Sequence, residues 1–267
     1  MPFNFNDCDC SPLVIDNEFY INDEDILAQH VGKIVLGHFA HVKRIILTLS
    51  TTIPITENFD IEIAIKRLSS TGKEDKDIEK RDGWVFQIIS WLALIVENKE
   101  KRFYCQQPHD APAQHGLDGI AVILNNTHTI ENIIVCEDKC TENHRVLIPR
   151  IWEEFSEFER GDHNNKLVSR ISALIEQLDE GNVLEANLNS IYSKNIRKYR
   201  VGINRNNTYQ TQPQRKKLFK GYDSCVSGIA PHRRFASTFY QDDIRDWMEQ
   251  FSLKVIKYLE TQKKADV

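Results

Sequence analysis

The sequence predicts an α/β fold with a mixed central sheet flanked by helices. Three observations carry that prediction. Residues 84–96 (Trp-Val-Phe-Gln-Ile-Ile-Ser-Trp-Leu-Ala-Leu-Ile-Val) are apolar all round, too long for an ordinary strand and too short to span a bilayer, and so read as a buried helix. Two short apolar runs, 120–124 and 133–135, flank the turn chemistry that begins at Asn125-Asn126 and read as a hairpin. Residues 148–160 and 167–178 then place apolar positions at helical spacing, the pattern of helices that cover a sheet.

Composition sets the frame. A chain of 267 residues allows one large domain or two small ones, with 41% apolar and 27% charged residues, as in soluble globular proteins. The formal net charge of −5 argues against indiscriminate binding of nucleic acid by the whole surface. Six cysteines without a disulfide framework, no signal-peptide pattern at the first residues and no apolar run of about 20 residues lead us to expect a cytoplasmic protein.

In chain order, residues 1–30 are acidic, and Cys8 and Cys10 lack a second pair at zinc-finger spacing. Asn22 is the expected N-cap of a helix running toward His30, with Asp23, Glu24 and Asp25 in its first turn. Residues 31–39 and 45–49 read as strands, Pro54 interrupts, and 59–65 alternates at period two like a half-buried strand. The polar stretch 69–80 includes Ser-Ser-Thr-Gly-Lys, which echoes a phosphate loop, but position 67 is Arg where such a loop needs glycine. It reads as a solvated linker. We therefore divide the chain into an N-terminal α/β region, 1–75, and a second domain, 76–267, that carries the chemistry.

Within the apolar helix Gln87 is the odd residue, either a core hydrogen bond or a polar contact behind a site; Glu97 is expected at a solvated helix end. A proline-punctuated loop, 105–114, leads to His115-Gly116-Leu117-Asp118-Gly119. His109 and His115 lie near this point, and His115 is either a phosphate contact or a structural histidine. The second run of the hairpin ends in Glu137-Asp138-Lys139. On a strand, Glu137 and Lys139 share a face and Asp138 takes the other. Pairing the two runs brings Asp118 and Glu137 to one end of the sheet with Lys139 beside them. Crowded carboxylates repel unless a hard cation such as Mg²⁺ (or Mn²⁺) lies between them, and the Asp138 backbone carbonyl is a candidate third ligand. The chemistry of such a site is metal-assisted hydrolysis of a phosphodiester. Cys136, Cys140 and His144 fall at helical spacing for zinc, but a strand that ends at Lys139 spoils it.

Pro149 suits the first turn of the helix at 148–160 and Gly161 its end. Between 194 and 234 eleven basic residues face the single acid Asp223: Lys194, Arg197, Lys198, Arg200, Arg205, Arg215, Lys216, Lys217, Lys220, Arg233 and Arg234. Interleaved aromatics make this the expected phosphate-gripping face, which the acidic N-terminus would mask. Residues 239–259 read as a closing amphipathic helix.

Asp118, Glu137 and Lys139 resemble the Asp…(Asp/Glu)-x-Lys signature of the PD-(D/E)xK nuclease superfamily. The text from His115 to Ile120 followed by Glu137-x-Lys139 further resembles the nuclease subunit (HamA-like) of Hachiman-type bacterial anti-phage systems. The resemblance implies a restriction-endonuclease-like core, Mg²⁺-dependent DNA cleavage and a superfamily 2 helicase partner. It assigns metal binding to Asp118, Glu137 and the Asp138 carbonyl, catalysis to these carboxylates with Lys139, and a supporting role to Gln87. Relatives tend to carry Gly-Glu near the start of the preceding helix; here the text is Asp82-Gly83-Trp84.

Overall fold

A computed structural model describes residues 1–48, 57–113, 117–176, 187 and 189–263. The protein is α/β. Seven strands form one mixed sheet: β1 (Phe3–Cys10), β2 (Val14–Ile21), β3 (Arg102–Cys105), β4 (Gly119–Leu124), β5 (Ile130–Lys139), β6 (Arg197–Arg205) and β7 (Arg234–Tyr240), in the order β1-β2-β7-β6-β5-β4-β3. The central strands β2, β7, β6 and β5 run parallel, whereas β1 and the pair β4, β3 join antiparallel at the two sides. Segments 1–75 and 76–267 thus contribute to one sheet.

Helices cover both faces. On one side lie α1 (Glu24–Val35), α2 (Phe39–Thr48), α3 (Asn58–Leu68), α4 (Asp75–Glu97) and the last helix, α10 (Ile244–Thr261). On the other lie α5 (His144–Arg160), α6 (Asn164–Glu176) and the short α7 (Gln212–Leu218), α8 (Tyr222–Cys225) and α9 (Ala230–Arg233). The expected buried helix is the second half of α4, where every residue from Trp84 to Val96 is buried. The expected hairpin is β4–β5, and Gly161, at φ +97, ends α5 as a left-handed cap that glycine adopts freely.

Several elements differ from their sequence reading. Residues 31–39 are the end of α1 and the start of α2, and 45–48 continue α2; Leu49 and Pro54 lie outside the described residues. Residues 59–65 belong to α3, whose buried Ile61, Ala64 and Leu68 follow the helical repeat; short apolar alternation fits both periods, and packing decides. Asp23, not Asn22, caps α1 by accepting the Ile26 N–H. Residues 1–21, read only as acidic, are the β1–β2 hairpin. Phe239 and Tyr240 close β7 rather than opening α10, which Asp243 caps. In the stretch resembling a phosphate loop, Lys73 donates to the carbonyl of Arg67 and Ser70 to Glu249, so both serve the fold. Pro149 sits inside α5, which begins at His144. Glu97 is not simply solvated, since it accepts from Asn17 across to β2. No helix among the described residues is long and apolar enough to cross a membrane.

Candidate active site

The site forms where β4 begins and β5 ends. Register pairs Gly119 with Cys136, which sets Asp118, one residue earlier, opposite Glu137. Lys139 reaches both carboxylates: its Nζ lies 3.3 Å from Asp118 Oδ2 and contacts Glu137 Oε1. The main-chain N–H of Asp138 donates to Asp118 Oδ2 at 2.9 Å. From α4, Gln87 Nε2 donates to the Asp118 carbonyl at 3.0 Å and to its Oδ1 at 3.2 Å, while Gln87 Oε1 accepts the His109 N–H at 3.3 Å. Trp84 donates its indole N–H to the His109 carbonyl at 2.7 Å, so one face of α4 holds both the 105–113 loop and Asp118. His115 and Gly116 lie outside the described residues.

Alternation along β5 separates two environments. Val135 packs in the core under α5, and Glu137 and Lys139 follow it on that face; Cys136 packs on the α4 side, and Asp138 follows it. There the Asp138 Oδ1 accepts from Ser90 at 2.5 Å and from Arg200 at 3.0 Å. Arg200 in turn donates to Ser237 at 3.0 Å. A Cβ on Gly202 would stand 1.9 Å from that same Asp138 oxygen, so only glycine fits beside it.

Burial shapes the electrostatics. It pushes the Glu137 carboxyl well above the usual range, Asp118 adds to the effect and Lys139 opposes it. Burial works to lower the Lys139 pKa, but Glu137 and Asp118 outweigh it and hold the ammonium charged beyond its usual range. Burial raises Asp138 as well, against Arg200. Glu137 Oε2 is buried with no hydrogen-bond partner, an uncommon state for a carboxylate oxygen. A cleft of about 520 Å³ opens over Asp118 and Lys139, walled by α4 and the first turn of α5.

No protein-family model matches the chain, and no curated protein matches it in sequence.

Among the described residues no group of three or more His, Cys, Asp or Glu side chains is placed to hold a metal ion. The donors on offer are two carboxylates and a strand edge, a set that suits Mg²⁺, which keeps several waters, better than zinc. Cys136 is buried in the α4-side core, and His144 Nε2 lies 2.7 Å from the Asn204 carbonyl, so neither belongs to a metal set.

The basic segment requires correction. Arg197 is buried against the Phe158 carbonyl, Arg215 pairs with Asp16 and Glu18, and Arg233 with Glu159. Arg205 pairs with Glu18, Arg200 with Asp138, and Arg234 donates to the carbonyls of Pro12, Leu13, Val226 and Gly228. These arginines hold the interior together and are not a phosphate-gripping face. The acids of β2 do not mask a surface; they neutralise buried guanidinium groups. Lys198 is half-buried over the Phe235 ring and Lys216 is half-buried, leaving Lys194, Lys217 and Lys220 exposed. Sequence reasoning also missed Ser90 and the role of Arg200. The available signal was the alternation Tyr199-Arg200-Val201-Gly202-Ile203, which marks a buried strand with an arginine inside it.

Proposed function

We propose that this chain is a metal-dependent DNA endonuclease of the PD-(D/E)xK type, with a restriction-endonuclease-like core, that hydrolyses phosphodiester bonds. The observation that carries the reading is the meeting of Asp118, Glu137 and Lys139 at one sheet end. The unpartnered, buried Glu137 oxygen beside them is what a cation ligand would leave when apart from its ion. Asp118 and Glu137 would hold Mg²⁺ or Mn²⁺ together with the Asp138 carbonyl. That residue's N–H already faces Asp118, and in extended backbone the C=O of a residue points to the same strand edge as its N–H. A cation held there would acidify a bound water and neutralise charge on a phosphoryl oxygen.

The protein's own groups do the rest. Lys139, kept protonated by its two neighbours, serves as a fixed positive charge and a donor that orients water, not as a general base. As the water oxygen bonds to phosphorus it releases a proton to solvent, the bond to the leaving sugar oxygen breaks and that oxygen takes up a proton from solvent, and the Lys139 charge offsets the negative charge on the non-bridging oxygens. Gln87 keeps Asp118 aimed. By the resemblance to HamA-like subunits, the enzyme would be an effector of anti-phage defence, restrained and directed by a superfamily 2 helicase.

The test is nicking of supercoiled plasmid with Mg²⁺. The wild-type protein should nick, and the double variant Glu137→Ala with Lys139→Ala should not; unchanged nicking in that variant refutes the assignment. One observation favours a second reading, a catalytically inactive nucleic-acid-binding or regulatory subunit. Asp82, the acid nearest the place where relatives carry glutamate, is buried, is paired with Arg81 and Arg245, and is not among the residues that line the cleft. Binding that needs no Mg²⁺, weakens steeply with salt and never yields product would select it.

A further inference from the structure

The cleft over the site has one wall whose residues follow a helical stripe. Lys76, Glu79, Lys80, Gly83, Trp84 and Gln87 line it from α4, all within about half the circumference of the helix, and Arg245, which also lines the cleft, lies 3.9 Å from the one acid among them, Glu79. The stripe runs twelve residues, eleven rises of 1.5 Å or about 16 Å, from exposed lysines at the rim to the glutamine that grips Asp118. Opposite, α5 offers Val146, an apolar side chain left 49% exposed.

Gly83 is the informative residue. Glycine inside a helix costs about 0.5–1 kcal/mol relative to alanine. Its usual justifications are absent: its φ is not positive, and a Cβ built on it meets nothing within 4 Å. Neither backbone geometry nor packing against the rest of the protein calls for glycine there. The bare backbone faces the cleft, next to the cations and above the carboxylates. Glycine at such a place suits close approach by a ligand. The pair Lys80–Asp77, exposed on both sides, is weak enough for a phosphate to replace the carboxylate.

We infer that the cleft between α4 and α5 is a track for a single strand of nucleic acid, with Lys76 and Lys80 holding its phosphates and Gly83 admitting its backbone against the helix. This rests on the phosphodiesterase reading above and names the form of its substrate. A space of about 520 Å³ is the size of one or two nucleotides, and cations that track a backbone beside apolar side chains that bases can lie on suit a single strand. The exposed lysines of the basic segment, Lys217 and Lys220, stand outside the lining of this cleft.

The experiment is fluorescence anisotropy of a labelled 12-nucleotide single strand and of the matching duplex, with the full chain in Ca²⁺ in place of Mg²⁺ so that chemistry does not enter. Lys76→Glu with Lys80→Glu should weaken single-strand affinity at least tenfold and lower the slope of log affinity against log salt by about 1.4, two phosphate contacts at 0.7 each. Gly83→Leu should weaken it at least tenfold while its Tm stays level or rises, which separates a blocked track from a damaged fold. Lys217→Glu with Lys220→Glu should change it less than twofold. The inference is overturned if Lys76, Lys80 and Gly83 variants bind as wild type, if only the Lys217 and Lys220 variant loses affinity, if the duplex binds more tightly with the same dependence, or if neither probe binds. Nicking in Mg²⁺ is scored separately. Track variants that bind as predicted without any product would leave the track standing and remove the nuclease, whereas nicking untouched by the track variants would do the reverse.

Discussion

Asp138 and Arg200 meet at 3.0 Å inside the protein, on the opposite side of β5 from Glu137. Their strands lie side by side, Cys136 opposite Arg200 and Asp138 opposite Gly202. Asp138, the residue between Glu137 and Lys139, is therefore anchored in the core from the neighbouring strand.

Removing one partner of this pair should strand a buried charge. Arg200→Ala and Asp138→Ala are each expected to cost about 3–5 kcal/mol, and the double variant less than their sum. Chemical denaturation of the three variants measures both quantities; strict additivity would contradict a coupled pair.

Glu137 is stabilised poorly as an anion in the metal-free protein. Glu137→Gln should therefore keep or raise stability, with a gain of about 1 kcal/mol appearing as a Tm higher by about 2–4 °C. Mg²⁺ or Mn²⁺ should raise the Tm of the wild type and not of this variant. Equal metal-induced shifts in both proteins would remove Glu137 from the ligand set.

Gln87 aims Asp118 from α4. Gln87→Leu should fold, keep the cleft and lose about 10–100-fold in cleavage, the usual effect of losing a group that orients a metal ligand. Plasmid nicking beside circular dichroism reads this out; full activity would make Gln87 a core hydrogen bond and nothing more.

His30 supplies a pH signature remote from the site. It is buried in α1 with Nδ1 unpartnered, and burial, then Lys33 and the N-terminal amine, depress its pKa from 6.5 to about 4. Between those values the unfolded chain binds a proton that the folded chain refuses. Stability should fall by about 3 kcal/mol as pH drops through this window. His30→Gln should flatten the dependence in urea melts between pH 7 and 4; an unchanged slope would assign the effect to other groups.

The meeting of Asp118, Glu137 and Lys139 was legible in the sequence because its signals are local. The length of the apolar run at 84–96 marks α4, and a short turn fixes β4 against β5, which carries Asp118 to Glu137. What failed was non-local. Residues 59–65 satisfy both periodicities, and only the packing of Ile61, Ala64 and Leu68 selects the helix. The arginines at 205 and 215 looked like a surface because their partners, Asp16 and Glu18, lie almost two hundred positions earlier. Sign and number of charges are written in a sequence; the depth at which they end is not.

The parallel seam between β2 and β7 joins the opening hairpin to a strand that begins at Arg234. On the ribosome, that hairpin must wait until residues 234–240 have been made before it finds its neighbour, with α1 likewise waiting for α10. Synthesis interrupted anywhere before the last strand leaves an uncovered β edge at the front of the chain, so prematurely terminated products should aggregate or be degraded rather than accumulate as partly working fragments.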